Sequence, residues 1–337
     1  MKTILTGLRA NSVFTIGNYL GALLPMVRLA KEHVDDYHLN LFVPDLHSLI
    51  SEVDGGDLQA NILRGIKCYL AAGMPTGKNV HIYRQSRVPA HSELCWILNC
   101  VATMGEMNRM TQYKEKSEGK NSVNVGIFDY PVLMAGDILL YSAEYVPVGE
   151  DQFQHIELTR NLAMRFNNRF GDIFTVPAST KDQVKFMGLE EGIRIRDLLN
   201  PEKKMSKSTV AENSKIMLDD TPERAVKKIM SATTDSLGKI KFDMWGQPGI
   251  SNLMVIESLV NDIPLQEVIA KWNGETKYGE LKKKVAASVS DLLTDFQAKL
   301  TEISDEQVYE LLESGEKYAN EVANAKLLEV QKAVGLR

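Results

Sequence analysis

The sequence of 337 residues has few cysteines and no long apolar run. No hydrophobic segment approaches the roughly 20 residues that a membrane-spanning helix needs, and the apolar core of MKTILTGLRA at the start is too short for a secretory signal. Cys68, Cys95 and Cys100 are odd in number, lack metal-ligand spacing and lie in apolar helical patterns. We therefore predict a cytoplasmic protein with no membrane segment, with buried free thiols and with no metal ion held by the protein.

The sequence also has no excess of positive charge. It contains 39 Lys and Arg and 44 Asp and Glu, which give a net charge of -5. A globally acidic protein cannot hold RNA by overall attraction, so an RNA site has to be a local basic surface. Lys227-Lys228 and Lys282-Lys283-Lys284 are candidate phosphate contacts, although isolated runs of this kind are also typical of solvated helix faces. Repeats and low-complexity segments are absent from the sequence.

Strand and helix patterns alternate through the first two hundred residues. This alternation predicts parallel strands with helical crossovers, in which ligands bind beyond the carboxyl ends of the strands. Gly7, Asp45 to His47 and Gly149 to Gln152 lie at such ends. The predicted strands are Met1 to Gly7, Leu39 to Pro44, Asn79 to Tyr83, Tyr145 to Val148 and the strand-like Gly192 to Arg196. The predicted helices are Asn18 to Lys31, Leu58 to Ala72, His91 to Thr103 and one that begins near Gln152.

The second half of the chain has mostly helical spacing, as in Leu253, Ile256 and Leu259, and Ser304 with Gln307 has the spacing of a capping box. The chain is long enough for two domains. We predict an α/β fold in which a doubly wound parallel sheet of the Rossmann type is followed by a mostly helical domain. The predicted division is 1–200 for the catalytic domain, 201–212 for a loop and 213–337 for the helical domain.

The most specific stretch is Lys203-Lys204-Met205-Ser206-Lys207-Ser208. Lys204 and Lys207 are three residues apart, and they can aim two ammonium groups at one polyphosphate if the backbone forms a loop. The alternative is a solvated basic loop. A Lys-Met-Ser-Lys-Ser match is very improbable by chance in a chain of this length, and this favours phosphate binding.

A second element with the geometry of an anion site lies near the amino terminus, where Thr15-Ile16-Gly17-Asn18 joins the first strand to a helix. Unpaired backbone N–H groups and the positive end of the helix dipole would be directed at an anion there. Gly17 has no side chain and would let an adenine or a ribose approach the main chain closely. Taken alone, the pair Gly17-Asn18 is equally typical of ordinary helix capping.

Together these two segments resemble the two signatures of class I aminoacyl-tRNA synthetases, with Thr15 and Asn18 in place of the signature histidines. Several other stretches resemble the bacterial tryptophanyl members of that family. They are TIGNYLGAL from Thr15, VPAH from Val88, MTQYKEKS from Met110, LMAGDILLY from Leu133, VPVGEDQFQHIELTR from Val146 and PGISNL from Pro248.

The resemblance implies a tryptophan–tRNA ligase, whose substrates are L-tryptophan, ATP with Mg²⁺, and tRNA(Trp). Such an enzyme forms tryptophanyl-adenylate and pyrophosphate and then transfers tryptophan to the 3′ end of the tRNA. The substrate carboxylate is already ionised at pH 7, so positioning and cations suffice and no catalytic base is needed. The resemblance also implies a homodimer in which one tRNA spans both subunits and the helical half binds the anticodon region.

The resemblance assigns most of the ATP contacts to the two signatures. Lys204 and Lys207 would hold the leaving phosphates; Lys116 is a third candidate, or else a surface lysine paired with Glu115 or Glu118. Asp151 would accept the ribose hydroxyls or cap the following helix, and Ile195 would pack beside adenine or belong to the core. The predicted ATP-binding residues are Arg9, Ala10, Asn11, Thr15, Gly17, Asn18, Gly149, Glu150, Asp151, Ile195, Lys204, Met205, Ser206, Lys207 and Ser208.

Asp137 is the candidate for selecting tryptophan, because it lies in an otherwise apolar helix and must find a partner there or lose its charge. The pattern alone leaves a salt bridge to an arginine or a wet helix face open. The resemblance implies that Asp137 accepts the indole N–H, so that phenylalanine is rejected by a factor of about 10⁴, whereas tyrosine has to be excluded by shape. The other predicted tryptophan-binding residues are Tyr130, Met134, Ile138, His47 and Gln152, the last turned toward the substrate ammonium.

Two departures from the family pattern stand out. Leu8 to Ser12 replaces a Gln-Pro-Ser/Thr-Gly turn, so that Arg9 stands in place of a glutamine, and Thr209 stands where an aspartate is common. A tyrosyl synthetase is the alternative within enzymes. A paralogue that only binds tryptophan or RNA is the alternative outside them, although the retention of Lys204 and Lys207 argues against it.

Overall fold

A computed structural model describes residues 1–8, 14–50, 58–119, 122–188 and 195–337. Within these ranges the chain forms a parallel sheet in the order β1 (Lys2–Gly7), β2 (Tyr37–Val43) and β3 (Val80–Arg84). The strands are runs of buried, mostly apolar residues, as expected for parallel strands covered on both faces. The predicted α/β fold with a parallel sheet is confirmed.

The first helical segment begins two residues earlier than predicted and changes its hydrogen bonding along its length. It consists of α1 (Ile16–Asn18), a π-helical stretch from Tyr19 to Leu23, and α2 (Leu24–His33). Pro25 has no backbone N–H and its ring displaces the preceding turn, which accounts for the wider turn at this point.

The next helices are α3 (Asp45–Ser48), α4 (Leu58–Ala71), α5 (Ala90–Asn99) and α6 (Met104–Asn108). The prediction of one helix from His91 to Thr103 was wrong, because Thr103 is the N-cap of α6 and forms a capping box with Glu106. Cys100 therefore lies in the connection and is exposed, so that only Cys68 and Cys95 are the buried thiols that were predicted.

The chain continues through α7 (Thr111–Ser117), α8 (Val125–Leu139), α9 (Phe153–Phe170) and α10 (Thr180–Met187). Tyr145 to Val148, predicted as a strand, forms only one parallel bridge, between Tyr145 and Ile4 on the free side of β1. Pro147 has no N–H for a ladder, and the N–H of Val146 donates instead to Oε1 of Gln183 at 2.9 Å. The bridge, together with the hydrogen bond from Oγ1 of Thr6 to the carbonyl oxygen of Pro147 at 3.2 Å, nevertheless holds this segment beside β1.

The second half is helical, as predicted, with α11 (Pro222–Met230), α12 (Pro248–Asn261), α13 (Leu265–Trp272), α14 (Tyr278–Glu302) and α15 (Asp305–Ala333). The predicted capping box at the start of α15 is confirmed, since Ser304 and Gln307 bond each other's backbone N–H groups. In the described part of the chain, no helix has both the length and the hydropathy needed to span a bilayer.

The last helix returns to the sheet and covers its β3 edge. The Arg84 guanidinium contacts both carboxylate oxygens of Glu316, at 2.5 and 3.1 Å, and both side chains are largely buried. Gly315 lets the two backbones meet, because a Cβ there would overlap the main chain of Ile82. Covering β3 removes an open strand edge. The domain division at residues 200 and 212 stays a prediction, and α15 contacts the sheet although it lies in the helical half.

Candidate active site

The two signature segments face each other. A Cβ built on Gly17 would lie 3.5 Å from Cβ of Met205 and 3.7 Å from Cβ of Ile195. Met205 and Ile195 are themselves buried. The start of the first helix and the Lys-Met-Ser-Lys-Ser segment, almost two hundred residues apart in sequence, therefore line the same region of the molecule.

Backbone hydrogen bonds join the first signature to the stretch that follows the second, at residues 216 to 218. The N–H of Ile16 donates to the carbonyl oxygen of Ile216 at 2.8 Å, and the N–H of Leu218 donates to that of Phe14 at 2.9 Å. Thr15 and Asn18 form a capping box at the start of α1. The capping role considered for this segment is thus present. The N–H groups of Thr15, Ile16 and Asn18 are bonded within the protein, so the prediction of unpaired N–H groups at this helix start was wrong for these three residues.

The lysines of the second signature are exposed, whereas the methionine between them is buried. Lys204 pairs with Arg196 in an isolated antiparallel bridge, which contains the described end of the predicted strand Gly192 to Arg196. The hydroxyl groups of Ser206 and Ser208 lie 2.9 Å apart and share a hydrogen bond. The buried methionine anchors a turn that presents Lys204 and Lys207 to solvent.

Gly149 and the turn that follows it lead into α9. The Asp151 carboxylate accepts a hydrogen bond from Nε2 of Gln152 at 2.7 Å, and the N-cap of α9 is Gln152. Asp151 therefore does not cap the helix, which was the alternative to ribose binding. Glu150 and Asp151 are exposed.

Lys116 and His155 contact Tyr130 from two sides. Nζ of Lys116 lies 4.3 Å from the centroid of the Tyr130 ring, in cation–π geometry, and the Tyr130 hydroxyl lies 3.0 Å from Nε2 of His155. Burial, followed by the negative charges of Asp151 and Glu115, raises the pKa of Tyr130 to about 12. Burial and the positive charge of Lys116 lower the pKa of His155 to about 4. At pH 7 both Tyr130 and His155 are therefore neutral.

Asp137 is completely buried, and its partners are not the arginine that was considered. Its Oδ1 accepts hydrogen bonds from Nδ1 of His91 at 2.6 Å and from Nε2 of Gln85 at 2.7 Å. Its Oδ2 lies 2.9 Å from Nε2 of His47, which reaches the carboxylate from α3.

Burial alone would raise the pKa of Asp137, but the hydrogen bonds from His47 and His91 outweigh it and lower the pKa to about 2. The carboxylate is thus ionised at every physiological pH. A carboxylate offers about four lone-pair positions, and the hydrogen bonds described here use three, two on Oδ1 and one on Oδ2.

Comparison with known proteins identifies the family. The profile of the family described as tRNA synthetases class I (W and Y) matches residues 1–294. The tryptophan–tRNA ligase of Caldanaerobacter subterraneus subsp. tengcongensis is 46% identical over 336 residues, which cover 100% of this chain and 99% of the relative. The chain belongs to the class I tRNA synthetases of the tryptophan and tyrosine group.

Other members of this family are similar over the whole chain. The tryptophan–tRNA ligase of Bacillus subtilis is 42% identical and covers 99% of this chain and 98% of its own length. The crystal structure of tryptophanyl-tRNA synthetase from Mycoplasma pneumoniae has a TM-score of 0.79 at 34% identity and covers 100% of this chain and 98% of its own. The Campylobacter jejuni tryptophanyl-tRNA synthetase complexed with ADP and tryptophan has a TM-score of 0.80 at 29% identity, with 99% of each chain covered. The family predicted from the sequence is confirmed.

The remaining predicted tryptophan-binding residues lie on α8, beside a cavity. Met134 is partly buried and Ile138 is buried, both on α8 as Asp137 and Tyr130 are. A cavity of about 300 Å³ opens beside Tyr130 between α3, α5 and α8. It is lined by Leu46, Leu49, Ile50, Ser92, Cys95, Gly126, Asp129, Tyr130 and Leu133. Arg9, Ala10 and Asn11 lie outside the described residues.

Sequence reasoning missed Gln85, His91 and His155 as members of this site. Gln85 directly follows β3, so the rule that ligand-binding residues lie at the carboxyl ends of parallel strands would have found it. His91 is part of the quoted VPAH stretch, but its contact with Asp137 crosses 46 residues and has no local signal. His155 is part of the helix after GEDQ, where it looks like an ordinary core residue.

The basic runs considered as RNA contacts are partly used inside the protein. Lys228 is buried and pairs with Asp220 at 2.5 Å. Lys282 donates to the carbonyl oxygens of Met230 and Ala232 at the end of α11, at 3.2 and 2.7 Å. Lys227, Lys283 and Lys284 are exposed.

Proposed function

We propose that this chain ligates tryptophan to tRNA, and that it forms tryptophanyl-adenylate between the two signature segments and Asp137. Relatives that carry the name tryptophan–tRNA ligase match the chain over its whole length at 46% and 42% identity, in agreement with the enzyme predicted from the sequence. The assignment of individual residues that follows is our proposal.

The observation that carries the assignment is the contact of Gly17 with Met205 and Ile195. ATP would lie along this contact, with its adenosine against Gly17 and Ile195 and its phosphates toward Lys204 and Lys207. At the start of α1 the N–H of Gly17 would face the nucleotide, whereas those of Thr15, Ile16 and Asn18 are bonded within the protein.

In the first step the tryptophan carboxylate attacks the α-phosphorus of ATP in line. A bond forms between the carboxylate oxygen and phosphorus, and the bond from phosphorus to the bridging oxygen breaks, so pyrophosphate leaves with the electron pair. Lys204 and Lys207 would stabilise the charge that builds on the pyrophosphate, and Lys116 would offset the repulsion between the two anions. In the second step a hydroxyl oxygen of the terminal tRNA ribose forms a bond to the activated carbonyl carbon, and the bond from that carbon to the phosphate oxygen breaks. AMP leaves with the electron pair, and the hydroxyl proton passes to a phosphate oxygen or to water.

Mg²⁺ would enter with the ATP triphosphate and share its negative charge. Among the described residues, no group of three or more His, Cys, Asp or Glu side chains could hold a metal ion, and the side chains expected beside the phosphates are cations. The ligands of Mg²⁺ would then be phosphate oxygens. The Campylobacter jejuni synthetase was crystallised with ADP and tryptophan, and this supports adenine nucleotide and tryptophan as the ligands here.

The indole N–H would donate to the remaining lone-pair position on Oδ2 of Asp137. The same chain contains a pairing of this kind, since Nε1 of Trp272 donates to Oε2 of the buried Glu257 at 2.6 Å. Because the other donors to Asp137 fix both of its oxygens, the carboxylate is oriented before the substrate arrives. Phenylalanine has no donor for this position and would leave the acceptor unpaired.

Asp151, Gln152 and Tyr130 would complete the site beside the substrate. Asp151 would accept the ribose hydroxyls, and Gln152 would turn from Asp151 to the substrate ammonium. Asp151 is close enough to Tyr130 for its charge to raise the pKa of Tyr130, and Gln152 is hydrogen-bonded to Asp151.

We also propose that the enzyme is a homodimer and that its helical half binds the anticodon region of the tRNA. Leu49, which lines the cavity between α3, α5 and α8, is an exposed apolar side chain, and so are Trp96 and Val125, the sequence neighbours of the lining residues Cys95 and Gly126. An exposed apolar surface of this kind favours an interface with a second protein surface. A dimer through this face would place both copies of α8 close to the interface.

The test is tryptophan-dependent ATP–pyrophosphate exchange. We expect the wild-type protein to exchange with tryptophan and not with tyrosine, and Lys207→Ala to lower the rate by about 10²-fold or more, as for the loss of one stabilising cation or donor. Lys181→Ala, which removes an exposed lysine from α10, is the control and should leave the rate unchanged. Exchange with tyrosine alone would indicate a tyrosyl enzyme, and equal rates for wild type and Lys207→Ala would remove Lys207 from the mechanism.

A further inference from the structure

The segment Lys204 to Thr209, here called the signature loop, is attached to the body of the protein on its amino-terminal side. The N–H of Met205 donates to the carbonyl oxygen of Ile195 at 3.0 Å, and the Met205 side chain is buried. Lys207, which acts on the pyrophosphate in the proposed mechanism, lies in the other half of the loop. The contacts that hold this second half therefore decide where the Lys207 ammonium can reach.

Lys215 makes such contacts. Its Nζ donates to the carbonyl oxygen of Lys207 and to that of Thr209, both at 2.5 Å. Hydrogen bonds from an ammonium group are about twice as strong as neutral ones. One side chain thus bonds the signature loop on either side of Ser208.

The backbone around Lys215 is itself fixed at both neighbours. The carbonyl oxygen of Ser214 accepts from the N–H of Leu198, and that of Ile216 accepts from the N–H of Ile16, each at 2.8 Å. Ser214 and Ile216 are both buried. Lys215 therefore connects the signature loop to a rigid point next to the first signature.

We propose that Lys215 is a positioning residue that holds the signature loop in the form that presents Lys207 to the leaving pyrophosphate. Because the carbonyl group of Lys207 is bonded to Lys215, the peptide plane after Lys207 is fixed. The backbone at Lys207 therefore cannot rotate freely, and this limits the directions in which the Lys207 side chain can point. This proposal rests on the proposed function.

The first test compares Lys215→Met and Lys215→Arg in ATP–pyrophosphate exchange. Lys215→Met keeps the length of the side chain and removes both hydrogen bonds, so we expect kcat/KM for ATP to fall about 10- to 100-fold with KM for tryptophan unchanged. Lys215→Arg can donate to both carbonyl groups and should restore most of the loss. Lys181→Met is the matched control, since it removes one exposed positive charge outside the site, and should behave as wild type.

The second test needs no catalysis and measures how fast trypsin cleaves after Lys207 in the absence of ATP, with the new ends identified by mass spectrometry. We expect faster cleavage in Lys215→Met than in Lys181→Met, because the loop is released. Wild-type cleavage and wild-type kcat/KM in Lys215→Met would overturn the proposal. So would a loss of exchange without faster cleavage, which would indicate that Lys215 contacts ATP itself. If wild type shows no exchange at all, the proposed function fails, while the cleavage comparison still decides whether Lys215 holds the loop.

Discussion

Replacing Asp137 by asparagine is the sharpest test of how the enzyme selects tryptophan. Asparagine keeps the shape of the side chain but provides one oxygen and one NH₂ group instead of two acceptor oxygens. His91 and Gln85 both approach the Oδ1 position, so the amide oxygen is expected there. The NH₂ group then occupies the Oδ2 position, and a substrate indole N–H meets a donor instead of an acceptor.

The size of the effect follows from the burial of the site. A hydrogen bond to a charged group contributes about 1.5 to 3 kcal/mol, and a buried donor left unpaired costs about 1 to 3 kcal/mol. The sum for Asp137→Asn is about 3 to 6 kcal/mol, and this corresponds to a decrease in kcat/KM for tryptophan of about 10² to 10⁴. KM for ATP should change little, because Asp137 does not lie at the signature segments.

The assay is pyrophosphate exchange at saturating ATP with tryptophan varied. Glu257→Gln is the matched control, because it alters a buried carboxylate that accepts an indole N–H from Trp272 inside the fold. This control should lower the melting temperature and leave kcat/KM for tryptophan unchanged. A value for Asp137→Asn within tenfold of wild type would refute the role of Asp137.

A change in the substrate tests the same contact without a variant that could misfold. 3-Benzothienyl-L-alanine has nearly the shape of tryptophan and carries sulfur in place of the N–H. The wild-type enzyme should discriminate against it by about 10⁴, as expected for a site that must hydrogen-bond its substrate. Folded Asp137→Asn should lose most of this discrimination. Equal use of the two amino acids by wild type would show that the indole N–H is not recognised.

Three further predictions concern the proposed ATP site at Gly17, the ionisation of Asp137 and the capping box of α15. Gly17→Val should raise the Kd for ATP at least about tenfold, because a branched side chain fills the space beside Met205 and Ile195. Calorimetric titration of the folded variant with ATP measures this, and an unchanged affinity would contradict an ATP site at Gly17. Because the pKa of Asp137 falls from 3.8 to about 2 on folding, it contributes about 2 kcal/mol of stability above pH 4 that is lost as the pH falls toward 2. Urea unfolding of wild type and Asp137→Asn at pH 5 and pH 3 should therefore converge at the lower pH, and a constant difference would contradict the ionised form. Ser304→Ala should destabilise the protein by about 1 kcal/mol through loss of the capping box of α15, as seen in thermal unfolding.

Elements with strong local patterns could be predicted well. β1 and α4 have nearly the predicted bounds, because a continuous apolar run and apolar residues at helical spacing are properties of a few neighbouring residues. The capping box at Ser304 is equally local. The prediction was wrong where one residue fits two local patterns. Thr103 was assigned to the end of one helix, but it caps the start of the next.

The candidate site was predicted less completely, because its contacts are not local. Lys204, Lys207 and Gly17 were identified from two short sequence motifs. The two motifs lie close together because residues 14–16 and 216–218 are in antiparallel contact. The partners of Asp137 come from three other segments, and no spacing in the sequence relates them. The hydrogen bonds of Lys215 to the signature loop were likewise invisible, since a single lysine eight residues beyond Lys207 has no pattern of its own.

The amino-acid sequence by itself determined the family, the parallel α/β arrangement and the identity of the chemical groups, because motif wording and periodicity are properties of residues close together in the chain. Tertiary structure decided that Asp137 is an ionised acceptor held by His91, Gln85 and His47. Charge state in a buried site depends on which donors the fold brings within hydrogen-bond distance, and these donors are 46, 52 and 90 residues from Asp137 along the chain.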